Sequence, residues 1–334
     1  MLPAPVTGQL RDSFGRVATD LRVSLTDRCN LRCTYCMPAE GMAWQPRDTV
    51  LSDAEIVRLV RIGVQLLSVR EVRFTGGEPL LRPGLAGIVA AVAPLSVPIS
   101  LTTNGIGLAA RADALAAAGL TRINVSLDTL RPERFRALTR RDRLGEVVAG
   151  IEAAQAAGLA PVKINAVLMR GVNDDEAGEL LDFCLERRLE LRFIEQMPLD
   201  ADHQWARDNM VTAEEIMARI LVNHRLAPLP EPRGSAPAEC FLVDDGPATV
   251  GIIASVTRPF CRACARTRLT ADGQVRNCLF ATTETDLRAL LRGGADDQQI
   301  ARGWQQAMWG KAAGHTIGRA DFAPASRSMS AIGG

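Results

Sequence analysis

Six of the eight cysteines in this 334-residue chain fall into two tight groups, Cys29-x3-Cys33-x2-Cys36 and Cys261-x2-Cys264-x13-Cys278. Thiolates at such spacing can converge on a metal. Structural zinc takes four protein ligands, and a disulfide framework needs cysteine pairs in an oxidising compartment. Three cysteines fit neither. A four-iron cluster held by three thiolates leaves one iron open, and an open metal position can hold a reactant. For the second group a closed alternative stays open, because Cys240 could serve as a fourth zinc ligand. Its ordinary reading is a small thiol buried on a strand, just as Cys184 reads as a helix core residue.

The elements that must position these groups are legible as pattern. Six strand-like runs, at 20–26, 69–75, 97–103, 121–127, 161–168 and 190–196, are each followed by a helical pattern, which argues for parallel strands with helical crossovers. Six such units are too few for a closed eight-stranded barrel. The expected fold is α/β: a partial (β/α)6 TIM-like barrel closed by a small C-terminal α+β domain. Ser52 and Glu55 form a capping box ahead of an apolar stripe, and Gly119 and Gly158 stop Ala-rich helices. Polar residues gather toward the expected strand ends: Ser24, Thr26, Thr75, Thr102, Thr103, Asn104, Ser126, Asp128, Lys163, Asn165, Glu195 and Met197. That is the end where such barrels place their chemistry.

A second capped helix starts at Thr212 and is expected to run to about Asn223. The Pro-rich stretch 228–237 then reads as a boundary, dividing a barrel domain (1–225) from a C-terminal domain (226–334). The latter should hold short strands near 239–243 and 249–256, a hairpin around Asp272-Gly273, and helices near 283–292 and 296–309. Folding the hairpin back brings Cys278 beside Cys264, and parity puts Arg266 and Arg268 on the same strand face as Cys264.

Thirty-nine basic against 38 acidic residues give no global field, so no nucleic-acid footprint is expected and any anion site must be local. No uncharged apolar run reaches the ~18–20 residues that span a bilayer, and the first residues carry no export signal; no membrane association and a cytoplasmic location are expected. The chain contains 37 Arg and only two Lys, Lys163 and Lys311. A Lys on an apolar strand in such a chain is either an ammonium chosen for a confined space or an ordinary exposed strand-end residue.

The first cysteine group, with Tyr35 just before its last member, and Thr75-Gly76-Gly77-Glu78-Pro79 together resemble the radical S-adenosylmethionine enzymes. Adding 21–38, 73–82, 101–105, 124–128, 162–165, 192–195, the 261–278 hairpin and the final Gly333-Gly334, the ordered set resembles the GTP 3′,8-cyclases of molybdenum cofactor biosynthesis. The resemblance implies two 4Fe–4S clusters, one on Cys29, Cys33 and Cys36 and one on Cys261, Cys264 and Cys278. It places Tyr35, Gly77, Ser126 and Met197 around S-adenosylmethionine. Around GTP it places Arg22, Arg73, Thr102, Lys163, Arg192, Arg266 and Arg268.

The implied reaction is one-electron cleavage of S-adenosylmethionine, hydrogen removal at C3′ of GTP, addition of the C3′ radical to C8 of guanine, and reduction of the cyclised radical by one electron and a proton, giving 3′,8-cyclo-7,8-dihydro-GTP. No side chain is expected as acid or base; the Gly333-Gly334 tail is expected to reach the active site, against the plain alternative of a frayed end. An electron donor and a downstream cyclic pyranopterin monophosphate synthase are implied as partners, and a homodimer stays open. One position departs from the family pattern: Glu71 stands where a basic residue is usual, so a phosphate contact is missing there or is supplied by Arg70. Two other readings stay open, a peptide-modifying radical enzyme with an auxiliary cluster and a non-enzymatic zinc-binding protein.

Overall fold

The computed structural model describes residues 8–317, 319, 322, 324, 325 and 327–333, so the N-terminal reading and Gly334 lie outside the described residues. Six βα units open the chain. Their strands are β1 (Asp20–Ser24), β2 (Glu71–Thr75), β3 (Ile99–Thr103), β4 (Arg122–Ser126), β5 (Val162–Val167) and β6 (Glu190–Ile194). The helices between and after them are α1 (Asp53–Leu67), α2 (Leu85–Val92), α3 (Ala112–Ala117), α4 (Pro132–Thr139), α5 (Leu144–Ala156), α6 (Ala177–Glu186) and α7 (Ala213–Ile220). Both expected capping boxes form, at Ser52 with Glu55 and at Thr212 with Glu215. The second helix stops at Ile220, three residues short of the expected end.

Each strand alternates. Leu21 and Val23 of β1, and Val72 and Phe74 of β2, are fully buried in the core cluster that also contains Ile56, Leu59 and Val60 of α1. Burying one such aliphatic side chain contributes about 1.5–3 kcal/mol. The opposite parity, Arg22 on β1 and Arg73 on β2, lines a cavity instead. The period of two therefore separates a dry face, which holds the barrel together, from a charged face.

Beyond residue 225 come β7 (Leu226–Pro228), β8 (Glu239–Val243), β9 (Thr249–Ile253), β10 (Arg266–Leu269), β11 (Gln274–Arg276) and β12 (Thr285–Asp286). Helices α8 (Leu287–Arg292), α9 (Asp297–Trp309) and α10 (Met329–Ile332) complete the chain. Two boundaries move: β9 ends at Ile253, and a short strand precedes α8 where an earlier helix start was expected.

All twelve strands form one sheet, in the order β12-β11-β10-β1-β2-β3-β4-β5-β6-β9-β8-β7. β10 pairs in parallel with β1, and β9 in parallel with β6, so C-terminal strands extend both edges of the six-stranded core. The ends of the sheet do not pair with each other, and the barrel stays open. Where hairpin strands laid on one open side would have kept the two halves distinct, the chain crosses from one edge to the other. The 233–237 segment, between β7 and β8, touches the strand added at the core's other edge, with Arg266 Nη2 of β10 donating to the Ser235 carbonyl at 3.3 Å. Trp304 of α9, fully buried, donates its indole N–H to Thr267 Oγ1 at 2.9 Å and ties the last long helix to β10.

Candidate active site

Past the end of β1 the chain turns into the loop carrying the first triad. Arg32 N–H donates to the Thr139 carbonyl and Thr34 N–H to the Leu138 carbonyl, which anchors this loop to the end of α4. A single turn, closed by Cys36 N–H to Cys33 O at 3.0 Å, brings the last two cysteines together. Gly77 lies against the loop: a Cβ there would fall 2.5 Å from the Asp27 and Arg28 carbonyls, so no side chain fits. Cys29, Cys33 and Cys36 line a cavity of about 150 Å³ with Tyr35, Gly77, Thr102, Ser126 and Asp128.

No cation lines this first cavity, although Arg32 Nη1 donates to the Cys29 carbonyl at 2.8 Å and Arg140 Nη1 to the Met37 carbonyl at 3.0 Å from behind the loop. Burial pushes Cys29 up to about 11 and Cys36 up to about 12, and carries Cys33 well above its usual value. Burial also lifts Glu78 to about 7 and Asp128 to about 6. The hydrogen bonds to Cys29 Sγ come from neutral donors, Leu31 N–H at 3.5 Å and Asn104 Nδ2 at 3.8 Å. Tyr35 Oη donates to Asp128 Oδ2 at 2.6 Å, which fixes the ring at the cavity wall.

The second triad sits at the start of β10. The expected hairpin forms with Arg268 opposite Arg276 and Leu269 opposite Val275. Cys261, Cys264 and Cys278 line a cavity of about 70 Å³ with Arg266, Arg268, Met197 and His315. Burial pushes the Cys264 thiol up, but Lys311 and Arg266 more than offset it and hold Cys264 below its ordinary value. Cys240 belongs elsewhere: it faces Gly251 across the β8–β9 pair and does not line this cavity.

Among the described residues, no three His, Cys, Asp or Glu side chains are gathered as a ready-made site for one metal ion. Thiols spread around a cavity suit a polynuclear group, whose ligands attach to different metal atoms, better than a single zinc ion. Three cysteine thiols line each cavity, a donor set that would suit a cluster with one iron left open.

Below these lies a third cavity, of about 380 Å³, lined by eight cations (Arg22, Arg70, Arg73, Arg122, Lys163, Arg192, Arg233 and Arg266) against two carboxylates, Asp20 and Glu71. Strand register explains the concentration. Arg268, Arg22, Arg73, Ser100 and Arg122 face one another in a row across β10, β1, β2, β3 and β4. Burial, then the charges of neighbouring Arg22 and Arg266, pull Arg268 down to about 9; burial and Arg22 do the same to Arg73. Like charges directly opposite destabilise a sheet. The buried Nε atoms of Arg22 and Arg122 have no hydrogen-bond partner, and Arg266 Nε meets only Asp20 Oδ2, at 3.4 Å, so this face suits an anion that would complete it.

Several expected residues sit on other walls than predicted. Lys163, grouped with the C-terminal strand ends, is the second residue of β5 and lines the lower, cationic cavity; its partner is Glu190. Thr102 lines the first triad's cavity, and Met197 lines the second triad's. Glu71 forms ion pairs with Arg73, at 3.3 Å, and with Arg122, so the reversed charge on β2 is countered by an arginine two strands away. Sequence reasoning missed Arg122 and Arg233. Arg122 shares strand parity with Asn124 and Ser126, a signal that the period of two carries in the sequence itself.

The tail enters the site. Met329 and Ser330 of α10 line the first triad's cavity, and Arg268 Nη1 donates to the Gly333 carbonyl at 2.8 Å. Gly333 has φ +88°, and a Cβ there would lie 2.9 Å from Ser24 Cβ and Thr75 Cγ2. At that positive φ, and this close to the Ser24 and Thr75 side chains at the ends of the paired strands β1 and β2, glycine is the residue that fits.

No helix among the described residues is long and apolar enough to cross a membrane. Residues 23–184 match the Radical SAM superfamily, and residues 189–317 match Molybdenum Cofactor Synthesis C. A GTP 3′,8-cyclase of Streptomyces coelicolor is 64% identical over 97% of this chain and 96% of its own length. GTP 3′,8-cyclase 2 of Mycobacterium tuberculosis is 59% identical, covering 99% of this chain and 93% of its own. Among solved structures, Streptococcus suis SuiB bound to S-adenosylmethionine superposes with TM-score 0.57 at 15% identity, over 84% of this chain and 67% of that one, a likeness of fold. With two such relatives matched over nearly their full length, the chain belongs to the GTP 3′,8-cyclase family of radical S-adenosylmethionine enzymes.

Proposed function

We propose that the chain cyclises GTP to (8S)-3′,8-cyclo-7,8-dihydroguanosine 5′-triphosphate, an early step of molybdenum cofactor biosynthesis. The observation that carries this reading is the arginine row, in which the buried Nε atoms of Arg22 and Arg122 have no partner: a triphosphate is the polyanion whose charge it would balance. Cys29, Cys33 and Cys36 would hold one 4Fe–4S cluster, and Cys261, Cys264 and Cys278 a second. What the bound groups supply is one-electron cleavage of S-adenosylmethionine and removal of a hydrogen atom from the ribose.

The protein's own share is binding, orientation and exclusion of water. Tyr35, Gly77 and Ser126 would surround S-adenosylmethionine, with Met197 at the far wall. Arg22, Arg73, Lys163, Arg192, Arg266 and Arg268 would neutralise the triphosphate, joined by Arg122; Thr102 would meet GTP from the first triad's cavity, which it lines. Planar guanidinium groups suit bidentate phosphate contacts, and the Lys163 ammonium a single compact one. No general base is assigned. An external one-electron donor and a downstream enzyme that rearranges the product complete the pathway, and the reaction belongs in the cytoplasm.

Metal analysis with nucleotide titration tests the reading. Iron and acid-labile sulfide in amounts for two four-iron clusters, and GTP binding far tighter than guanosine binding, are expected. Zinc without sulfide, or equal affinity for GTP and guanosine, would overturn it.

A further inference from the structure

The chain writes Arg 37 times and Lys twice. One lysine, Lys163, lines the cationic cavity; the other, Lys311, lies beyond the end of α9 and is only 3% exposed. Its Nζ donates to the Arg266 carbonyl at 2.8 Å, to the Cys264 carbonyl at 3.3 Å and to Cys264 Sγ at 3.3 Å. Among the described residues no carboxylate pairs with it. A buried ammonium without a counter-charge is costly, and two carbonyl dipoles satisfy its hydrogens without neutralising it. The anion at hand is Cys264.

The strap that carries Lys311 is fixed from outside. Arg16 donates to the Cys261, Ala312 and Ala313 carbonyls, joining the strap to the first cysteine of the group. Gly314 packs so closely that a Cβ there would lie 3.3 Å from Cys261 Cβ. An Arg at 311 would carry a broad planar fork into a space bounded by two carbonyls and a sulfur, whereas an ammonium is compact and can direct its three hydrogens to those three acceptors.

We propose that Lys311 is a positioning residue of the second cysteine group: its ammonium, hydrogen-bonded to Cys264 Sγ, acts through that ligand to raise the reduction potential of the cluster bound there. Adding an electron makes a cluster more negative, so a fixed positive charge and an N–H···S bond on one ligand favour the reduced form. The first triad has only neutral donors, and its cluster lacks this bias. The inference rests on the second triad holding an iron–sulfur cluster.

The test is a potentiometric titration of the full chain, purified anaerobically with its clusters and followed by electron paramagnetic resonance. The wave that survives Cys33→Ser belongs to the second group. Lys311→Met and Lys311→Gln should keep the iron content of the unaltered protein but move that wave to lower potential; Lys311→Arg should move it least. The other wave should stay in place. An unchanged potential at full iron content would overturn the inference, as would loss of the second cluster in all three variants, which would make Lys311 a structural prop. Absence of any iron in Cys33→Ser protein would instead defeat the two-cluster reading itself.

Discussion

The two cysteine groups share a ligand count, and burial pushes Cys261 of the second up as it does the thiols of the first, but the side chains that line their cavities differ. Cys29, Cys33 and Cys36 lie in a cavity walled by Tyr35, Asp128 and small polar side chains, with burial pushing their thiols up. Cys261, Cys264 and Cys278 lie among Arg266, Arg268 and Lys311, and Cys264 is pulled below its ordinary value despite burial. The contrast suits them to different work. A cluster on the first triad, with neutral hydrogen-bond donors at Cys29 Sγ, would be the stronger reductant, while one on the second, beside Lys311 and Arg266, would accept charge more readily.

Cysteine substitutions should break the comparison most sharply. Cys33→Ser should abolish reductive cleavage of S-adenosylmethionine, read as 5′-deoxyadenosine formed with a chemical reductant. Cys264→Ser should lose the cyclised nucleotide yet still bind S-adenosylmethionine. Equal loss of that binding in both variants would mean that the two groups do not divide the labour.

Removing Gly333 and Gly334 comes next in expected size. The tail touches both regions, through Ser330 in the first cavity and the Gly333 carbonyl on Arg268. Turnover with GTP should be suppressed while iron content and thermal stability hold. A truncated or C-terminally extended protein working at the full rate would reduce the tail to a bystander.

Smaller, graded effects belong to the cationic face. Arg266→Ala or Arg268→Ala should cost roughly 1.5–3 kcal/mol in GTP binding, with little change for guanosine. Arg122→Ala should weaken GTP less, because part of its charge is already spent on Glu71. Calorimetry against both nucleotides separates these cases; parallel losses for GTP and guanosine would indicate a structural role. Smallest of all, Cys240→Ala should leave iron content and product formation unchanged, since a fourth thiolate would close the position the substrate needs.

Much of this arrangement is legible in the chain alone because it is local. Hydrophobic runs mark all six barrel strands, the capping boxes at Ser52 and Thr212 mark helix starts, and the Asp272-Gly273 turn explains how Cys278 meets Cys264. What stays hidden depends on register and long-range pairing. Nothing local says that β9 and β10 join opposite edges of one sheet, because each is a short run whose parallel partner is 59 or 246 residues away in register (Leu191 with Val250, Asp20 with Arg266). The row from Arg268 to Arg122 exists only once those pairings are made. Lys163 is legible: the expected run 161–168 already puts it near the strand's start, as β5 does, and grouping it with the strand ends overlooks that; only its partner Glu190 needs the pairing of β5 with β6. Lys311 carries a compositional signal but no local hint of the sulfur it meets.

The most direct test of the whole account is anaerobic turnover of the intact chain with GTP, S-adenosylmethionine and a low-potential reductant, with both products counted. The account predicts 5′-deoxyadenosine and 3′,8-cyclo-7,8-dihydro-GTP in equal amounts, with no cyclised product when guanosine replaces GTP. Cleavage of S-adenosylmethionine with GTP recovered intact would contradict it.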